Sequence, residues 1–428
     1  MLNESLEFPM TRDASLKRLQ LFLADVSQYG RRRNDVVENH PYVSRLSPAI
    51  RSRLVLESEV ISAVLGKYAF GTVEKFVQEV LWRSYWKGWL ELRPGVWNEY
   101  RESLRHWKTS GDARILERAE RVSRGRSGMA IMDRFARELR ETGYLHNHAR
   151  MWWASFWVHV ERLPWELGAD FFFQHLLDAD PASNTLSWRW VAGLQTPGKT
   201  YLVRESNLRR YCPEAWFDDE TGLERIRDGG VSALNVKGAL RPAPVLDRLV
   251  SAHLEMLGNR VGIWVHPDDC LVEQGELGQL SPVSVAGFIP QKVYRRMGLS
   301  RARQQHLVNV VRDGVQRAKS HFQCSGGLYQ ADSLPEAVAS WARENLLDTV
   351  VAYAPFVGPL DDIVGSVREE LEQRGISLRL IRREWDRQFF PLARQGFFPF
   401  WHAAKNRYWK PVEKPEEAHS AQVELPLV

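Results

Sequence analysis

The chain has 428 residues, 44% hydrophobic and 26% charged, with 58 Lys plus Arg against 53 Asp plus Glu. That length holds two or three ordinary domains, and that balance excludes a wholly disordered or fibrous chain. The net charge of +5 permits a polyanionic partner without demanding one.

Residues 1 to about 240 read as helical. Val73, Phe76, Val77, Val80 and Leu81 follow the i, i+3, i+4, i+7, i+8 stripe of an amphipathic helix, which Pro94-Gly95 should stop. A second helical run spans roughly 130–160, interrupted at Gly143. Residues 163–201 are dense in turn formers, among them Pro164, Gly168, Pro181 and the Pro197-Gly198 pair. Residues 241–257 read as a joint followed by a short helix. From 258 the pattern changes to short apolar segments, Val261–Val265, Val283–Phe288, Thr349–Tyr353 and Leu378–Ile381. Helical stretches Arg301–Ala318, Leu334–Glu344 and Leu360–Arg374 lie between them, the alternation of a parallel α/β sheet. The tail 411–428, rich in Glu and Pro, predicts disorder. The expected division is an all-α domain over 1–240, a linker over 241–257, an α/β domain over 258–410 and the tail.

Several classes of chemistry lose support early. Cys212, Cys270 and Cys324 are too far apart for a thiolate cluster, so reduced thiols and no metal site are expected. His146 and His148, two apart, fall on different helix faces. No phosphate loop, GxGxxG, HExxH or GxSxG motif occurs. No apolar run reaches the ~18 residues of a membrane span. MLNESLEFPM lacks a charged-then-apolar leader pattern, so a cytoplasmic protein is expected, and a monomer is the separate expectation for its assembly. Tryptophan is the unusual number: 17, of which 12 precede residue 240. Most such rings pack cores, but electron transfer and stacking on flat ligands also use them.

Four constellations carry chemistry. SRLSP (44–48) offers hydroxyl and backbone donors in a loop suited to an anion. In QEVLWRSYWKGW (78–89), Glu79, Trp82, Arg83 and Trp86 share one helical stripe. In LHNHARM (145–151), Asn147, Arg150 and Met151 share another. LLDADPASNTLSWRW (176–190) packs two aspartates, an asparagine and two tryptophans into thirteen residues. Taken singly, these are equally a turn, a surface ion pair, core aromatics and helix caps.

In this order, SRLSP, E-x-x-W-R, TGY-x-HN-x-x-RM and D-x-D-x-x-x-N-x-x-x-W-x-W resemble the flavin-binding helical domain of the DNA photolyase/cryptochrome family. The resemblance implies FAD, with Tyr29, Ser44, Arg45, Leu46, Ser47, Phe76, Arg83, Tyr144, Asn147, Arg150, Asp178, Asp180 and Asn184 as its contacts. Asn184 would stand opposite flavin N5 and tune its redox chemistry. Glu79, Trp82, Asn147, Met151 and Trp190 resemble the residues that line the pocket for a cyclobutane pyrimidine dimer. Trp188 and Trp165 match the first members of a tryptophan chain that reduces the flavin, with Trp107 as the nearest candidate for its surface end. Val43, Phe76 and Tyr144 depart from the residues common at their positions.

Segments GIWVHPDDCL, 348–381 and FFPFW resemble the family's antenna domain, placed here after the flavin domain instead of before it. A Rossmann-like antenna-type domain is therefore expected second, with a folate or deazaflavin as a possible second chromophore of unknown identity. The implied activity is light-driven repair of pyrimidine dimers, with damaged DNA as partner. The basic run 101–126, eight Lys or Arg against four acids, could belong to a DNA face. The alternative is a blue-light photoreceptor that binds FAD and signals without repair.

Overall fold

The computed structural model describes residues 8–196, 199–236, 242–246, 249 and 257–409. Most of the expected linker helix, the Pro197-Gly198 turn and the tail from Pro411 lie outside the described residues. Two compact units are present. The first comprises 1–51, 94–242 and 291–310; the second comprises 52–93, 243–290 and 311–428.

The first unit is helical. Helix Ala130–Thr142 ends at Gly143, which takes φ 70° as a left-handed cap, a conformation that costs glycine nothing sterically. Helix Asn147–Ser155 follows, and its C-terminal end widens into a π-helical turn, Phe156–Val160. The turn formers of 163–201 mark the ends of helices: Pro164 precedes Trp165–His175, and Pro181 opens Pro181–Val191 at N1, where its missing N–H costs nothing.

The second unit carries a five-stranded parallel sheet. Its strands are β1 (Val261–Val265), β2 (Ser284–Pro290), β3 (Ser325–Ala331), β4 (Thr349–Tyr353) and β5 (Ser377–Ile381), ordered β3-β2-β1-β4-β5. Every residue of β1, β2 and β4 is buried, as strands covered on both faces must be. Helices Leu334–Glu344 and Asp361–Glu372 cover one face, and Trp264, Phe288, Val338, Trp341, Val350 and Leu371 fill the core between. Edge strand β3, SGGLYQA, escaped the sequence reading because its glycines and polar residues leave no apolar run.

The helix Phe70–Glu91, which carries the second motif, belongs with this sheet. A buried ion cluster at the sheet's carboxyl edge anchors the segment that precedes it. Arg53 Nη1 donates to Asp269 at 3.1 Å and Nη2 to Asp386 at 2.6 Å, while Arg383 donates to both oxygens of Asp269 at 2.6 and 2.7 Å. All four side chains are almost wholly buried. The guanidinium groups hold the Asp269 carboxyl well below the usual carboxylate range despite its burial.

Candidate functional site

Three of the four motif blocks fall in the first unit. The SRLSP loop bends through Arg45 at φ 57°, and Ser44 Oγ accepts from the Leu46 N–H at 3.3 Å. Arg18 braces this loop from outside by donating to the carbonyls of Ser44 at 2.8 Å and Val43 at 3.3 Å. Burial and the neighbouring Arg45 guanidinium lower Arg18 to about 10, partly offset by Asp25 and Tyr144. Positive charge is thus concentrated here, a setting suited to phosphate.

The acidic turn is built from several directions. Arg150 Nε donates to the Leu145 carbonyl at 2.7 Å, which aims Nη2 at Asp178 Oδ2, 2.9 Å away. Asp180 is the N-cap of Pro181–Val191, accepting the Ser183 N–H at 2.7 Å. Asn184, one turn into that helix, donates from Nδ2 to the Ala169 carbonyl at 2.8 Å, which fixes the plane of its amide. Asn147 is exposed and Met151 half-buried on the helix that also carries Arg150. Tyr144 is buried against Phe8 and Leu177, where burial pushes its phenol up to about 12. Tyr29 opens the one-turn helix Tyr29–Arg32 and meets Phe22 edge-on at 6.2 Å.

The tryptophans divide by environment. Trp188 is 2% exposed, ringed by Phe172 at 5.1 Å, Trp153 at 6.2 Å and Trp157 at 6.4 Å, all nearly edge-on. Gly168 makes room for it: a Cβ there would lie 2.3 Å from the Trp188 ring and 2.9 Å from Trp157 Nε1. Trp165 packs on Tyr100 at 5.5 Å, and Tyr100 on Trp97 at 5.4 Å. Trp107 is half-buried, with the His106 ring at 6.4 Å. Trp190, half-buried, stacks with Tyr201 at 5.7 Å.

The remaining block sits in the second unit on Phe70–Glu91. Glu79 and Arg83 are half-buried there, and Phe76 is buried beside Val73, Val77 and Val80. Trp82 is half-buried and stacks face to face on Phe397, with ring centroids 3.7 Å apart and planes 7° from parallel.

Sequence reading missed two groups behind the acidic turn. Arg51 Nε and Arg303 Nη2 both donate to the Ala179 carbonyl, at 3.2 and 3.1 Å. Two guanidinium donors on the carbonyl between Asp178 and Asp180 hold the backbone of the turn with charge-assisted bonds. Arg303 lies more than a hundred residues downstream, at the start of helix Arg301–Phe322, whose first ten residues belong to the first unit. No local pattern could have announced it.

Among the described residues no helix is long and apolar enough to cross a membrane, and no group of three His, Cys, Asp or Glu side chains could hold a metal ion. The three cysteines are free thiols.

Residues 76–221 match the family described as the FAD binding domain of DNA photolyase. A deoxyribodipyrimidine photo-lyase from Streptomyces griseus is 32% identical over 217 residues, 48% of this chain and 46% of that protein. Another from Alkalihalophilus pseudofirmus is 28% identical over 230 residues, 47% of this chain and 44% of the relative. The chain spans about half the length of the curated relatives it matches. A solved class III photolyase from Agrobacterium tumefaciens aligns with a TM-score of 0.41 and 24% identity, over 47% of this chain and 42% of that one.

Proposed function

From the premise that this chain belongs to the photolyase/cryptochrome family, we propose that it is a light-driven, FAD-dependent repair enzyme for cyclobutane pyrimidine dimers in DNA. The observation that carries the flavin part is the gathering, in one unit, of a cationic hydroxyl-bearing loop and an acidic turn held by three arginines, one on Asp178 and two on the Ala179 carbonyl. These residues fit FAD. Ser44, Arg45 and Ser47 would take the phosphates, Asp178 and Asp180 the polar edge of the ring system and its ribose, and Asn184 the ring nitrogen that changes protonation on reduction.

Bound FAD would supply blue-light absorption and a one-electron donor; everything else falls to the chain. Trp188 and Trp165 are assigned to electron supply, since an indole gives up an electron far more readily than a phenyl ring. Glu79, Trp82, Asn147, Met151 and Trp190 are assigned to the lesion: indoles stack on the flipped bases while the acid and amide read their polar edges. Extrusion costs less for a dimer, whose bases already pair badly. Repair of this kind needs no hydrolytic nucleophile, in keeping with the motifs the sequence lacks. As in the sequence reading, the complete lesion set favours repair over signalling alone, and Asn147 between His146 and His148 favours the cyclobutane lesion over the (6-4) type.

The test is to load the protein with FAD, reduce it chemically and illuminate it with an oligonucleotide carrying one thymine dimer. Restored thymine under blue light, and none in darkness, is expected. No restored thymine from the reduced protein, beside light-driven flavin reduction in a second sample left oxidised, would replace this reading with the photoreceptor.

A further inference from the structure

We propose that Phe397 is the positioning residue for Trp82: it occupies one face of the indole and leaves only the opposite face for a damaged base. This inference rests on the assignment of Trp82 to the lesion made above.

The geometry is that of a full ring stack, 3.7 Å between centroids and 7° between planes, and no base can enter between rings so placed. The arrangement is over-determined. Tyr85, from the same helix as Trp82, sits edge-on to both rings, 5.4 Å from Trp82 and 5.6 Å from Phe397. Its hydroxyl donates to the Gln395 carbonyl at 2.9 Å. Arg93, just beyond the end of that helix, donates to the carbonyls of Ala393 at 3.3 Å and Arg394 at 2.6 Å. Three consecutive carbonyls of the segment that presents Phe397 are therefore held by side chains from the helix that presents Trp82 and from the residue two beyond its end. Gly88 permits the close approach, because a Cβ there would lie 2.8 Å from the Phe390 backbone.

The partner ring itself is 5% exposed, whereas Trp82 is half-buried and its neighbour Trp86 meets it at a tilt, 5.2 Å away. Held flat from one side, the indole is a preorganised platform, so a base that stacks on it need not freeze the ring first. A loosened ring would keep its hydrophobic area but lose that advantage.

The measurement is affinity of FAD-loaded protein for duplexes with and without one thymine dimer, together with KM and kcat for repair. Four variants are compared: Phe397→Ala, Phe397→Leu, Phe397→Tyr and Trp82→Ala. Alanine and leucine should weaken binding of the damaged duplex by about tenfold, the loss falling more on KM than on kcat. Undamaged duplex, held through phosphates, should change less than about twofold. Tyrosine restores a flat ring and should bind damaged duplex like the parent. Leucine keeps the apolar volume, so it answers the question even where alanine fails to fold. Parent-like discrimination in the leucine variant beside a weakened Trp82→Ala overturns the inference alone. Parent-like discrimination in Trp82→Ala removes the lesion assignment itself, and the inference with it.

Discussion

Both units place aspartates against arginines, and the two arrangements differ in what the arginines hold. In the second unit Asp269 takes one contact from Arg53 and two from Arg383, and Arg53 continues to Asp386, all of them buried. In the first unit Asp178 meets Arg150 through one oxygen, Asp180 caps a helix through one oxygen, and two further arginines grip the carbonyl between them. The first pattern encloses charge within the fold. The second spends two of its three arginines on a backbone carbonyl and one on a carboxylate. A count of ion pairs separates the two, three in the second unit's cluster against the Arg150–Asp178 pair in the first.

The comparison breaks most visibly at Arg53. Arg53→Met takes from buried Asp386 the arginine that holds it and leaves Asp269 to Arg383 alone, and loss of one partner of such a pair costs about 3–5 kcal/mol. Hydrogen exchange at the amides of β1 and β4 should accelerate accordingly, while exchange in Pro181–Val191 stays near the parent rate. Uniform acceleration in both units would refute the division of labour.

Arg150→Met probes the other cluster. It removes one charge-assisted hydrogen bond, worth about 1.5–3 kcal/mol, and releases the carboxylate it aimed. FAD retained after gel filtration should fall steeply while sheet stability is unchanged. Full flavin retention would separate Asp178 from cofactor binding.

Gly168→Ala should cost about 1–3 kcal/mol by overpacking against Trp188. Light-driven reduction of oxidised flavin should slow with it, because the indole must shift. Reduction at the parent rate would mean that electrons arrive by another route.

The smallest effect near neutral pH is in acid stability. Because the Asp269 carboxyl is depressed in the folded state, the unfolded chain binds that proton first. Its contribution is complete well above the unfolded value of ~3.9 and drains as pH falls through and below it. Acid unfolding of the second unit should therefore begin at higher pH in Arg53→Met than in the parent. Coincident acid limbs would show that the cluster does not set acid stability.

How much of this was legible in the sequence follows from range. The strands β1 and β4 and helix Leu334–Glu344 were read to the residue, since each is a buried run or an amphipathic stripe bounded by turn formers. The four motif blocks were visible because each is compact. What escaped was assembled from distance: Arg303 reaching Ala179, Phe397 reaching Trp82, and the grouping of 52–93 with the sheet. Tryptophan content announced aromatic chemistry, but not that Trp188 would be enclosed edge-on while Trp82 stacks flat on Phe397.

The most direct test of light-driven electron donation to a dimer is the fluorescence lifetime of reduced flavin in the loaded protein. It is measured alone, with undamaged duplex, and with the same duplex carrying one thymine dimer. Electron transfer to the lesion competes with emission, so the lifetime should shorten with damaged duplex only, and Trp82→Ala should reverse the effect at subsaturating DNA. Identical lifetimes in all three samples, with damaged duplex shown to be bound, would contradict the account.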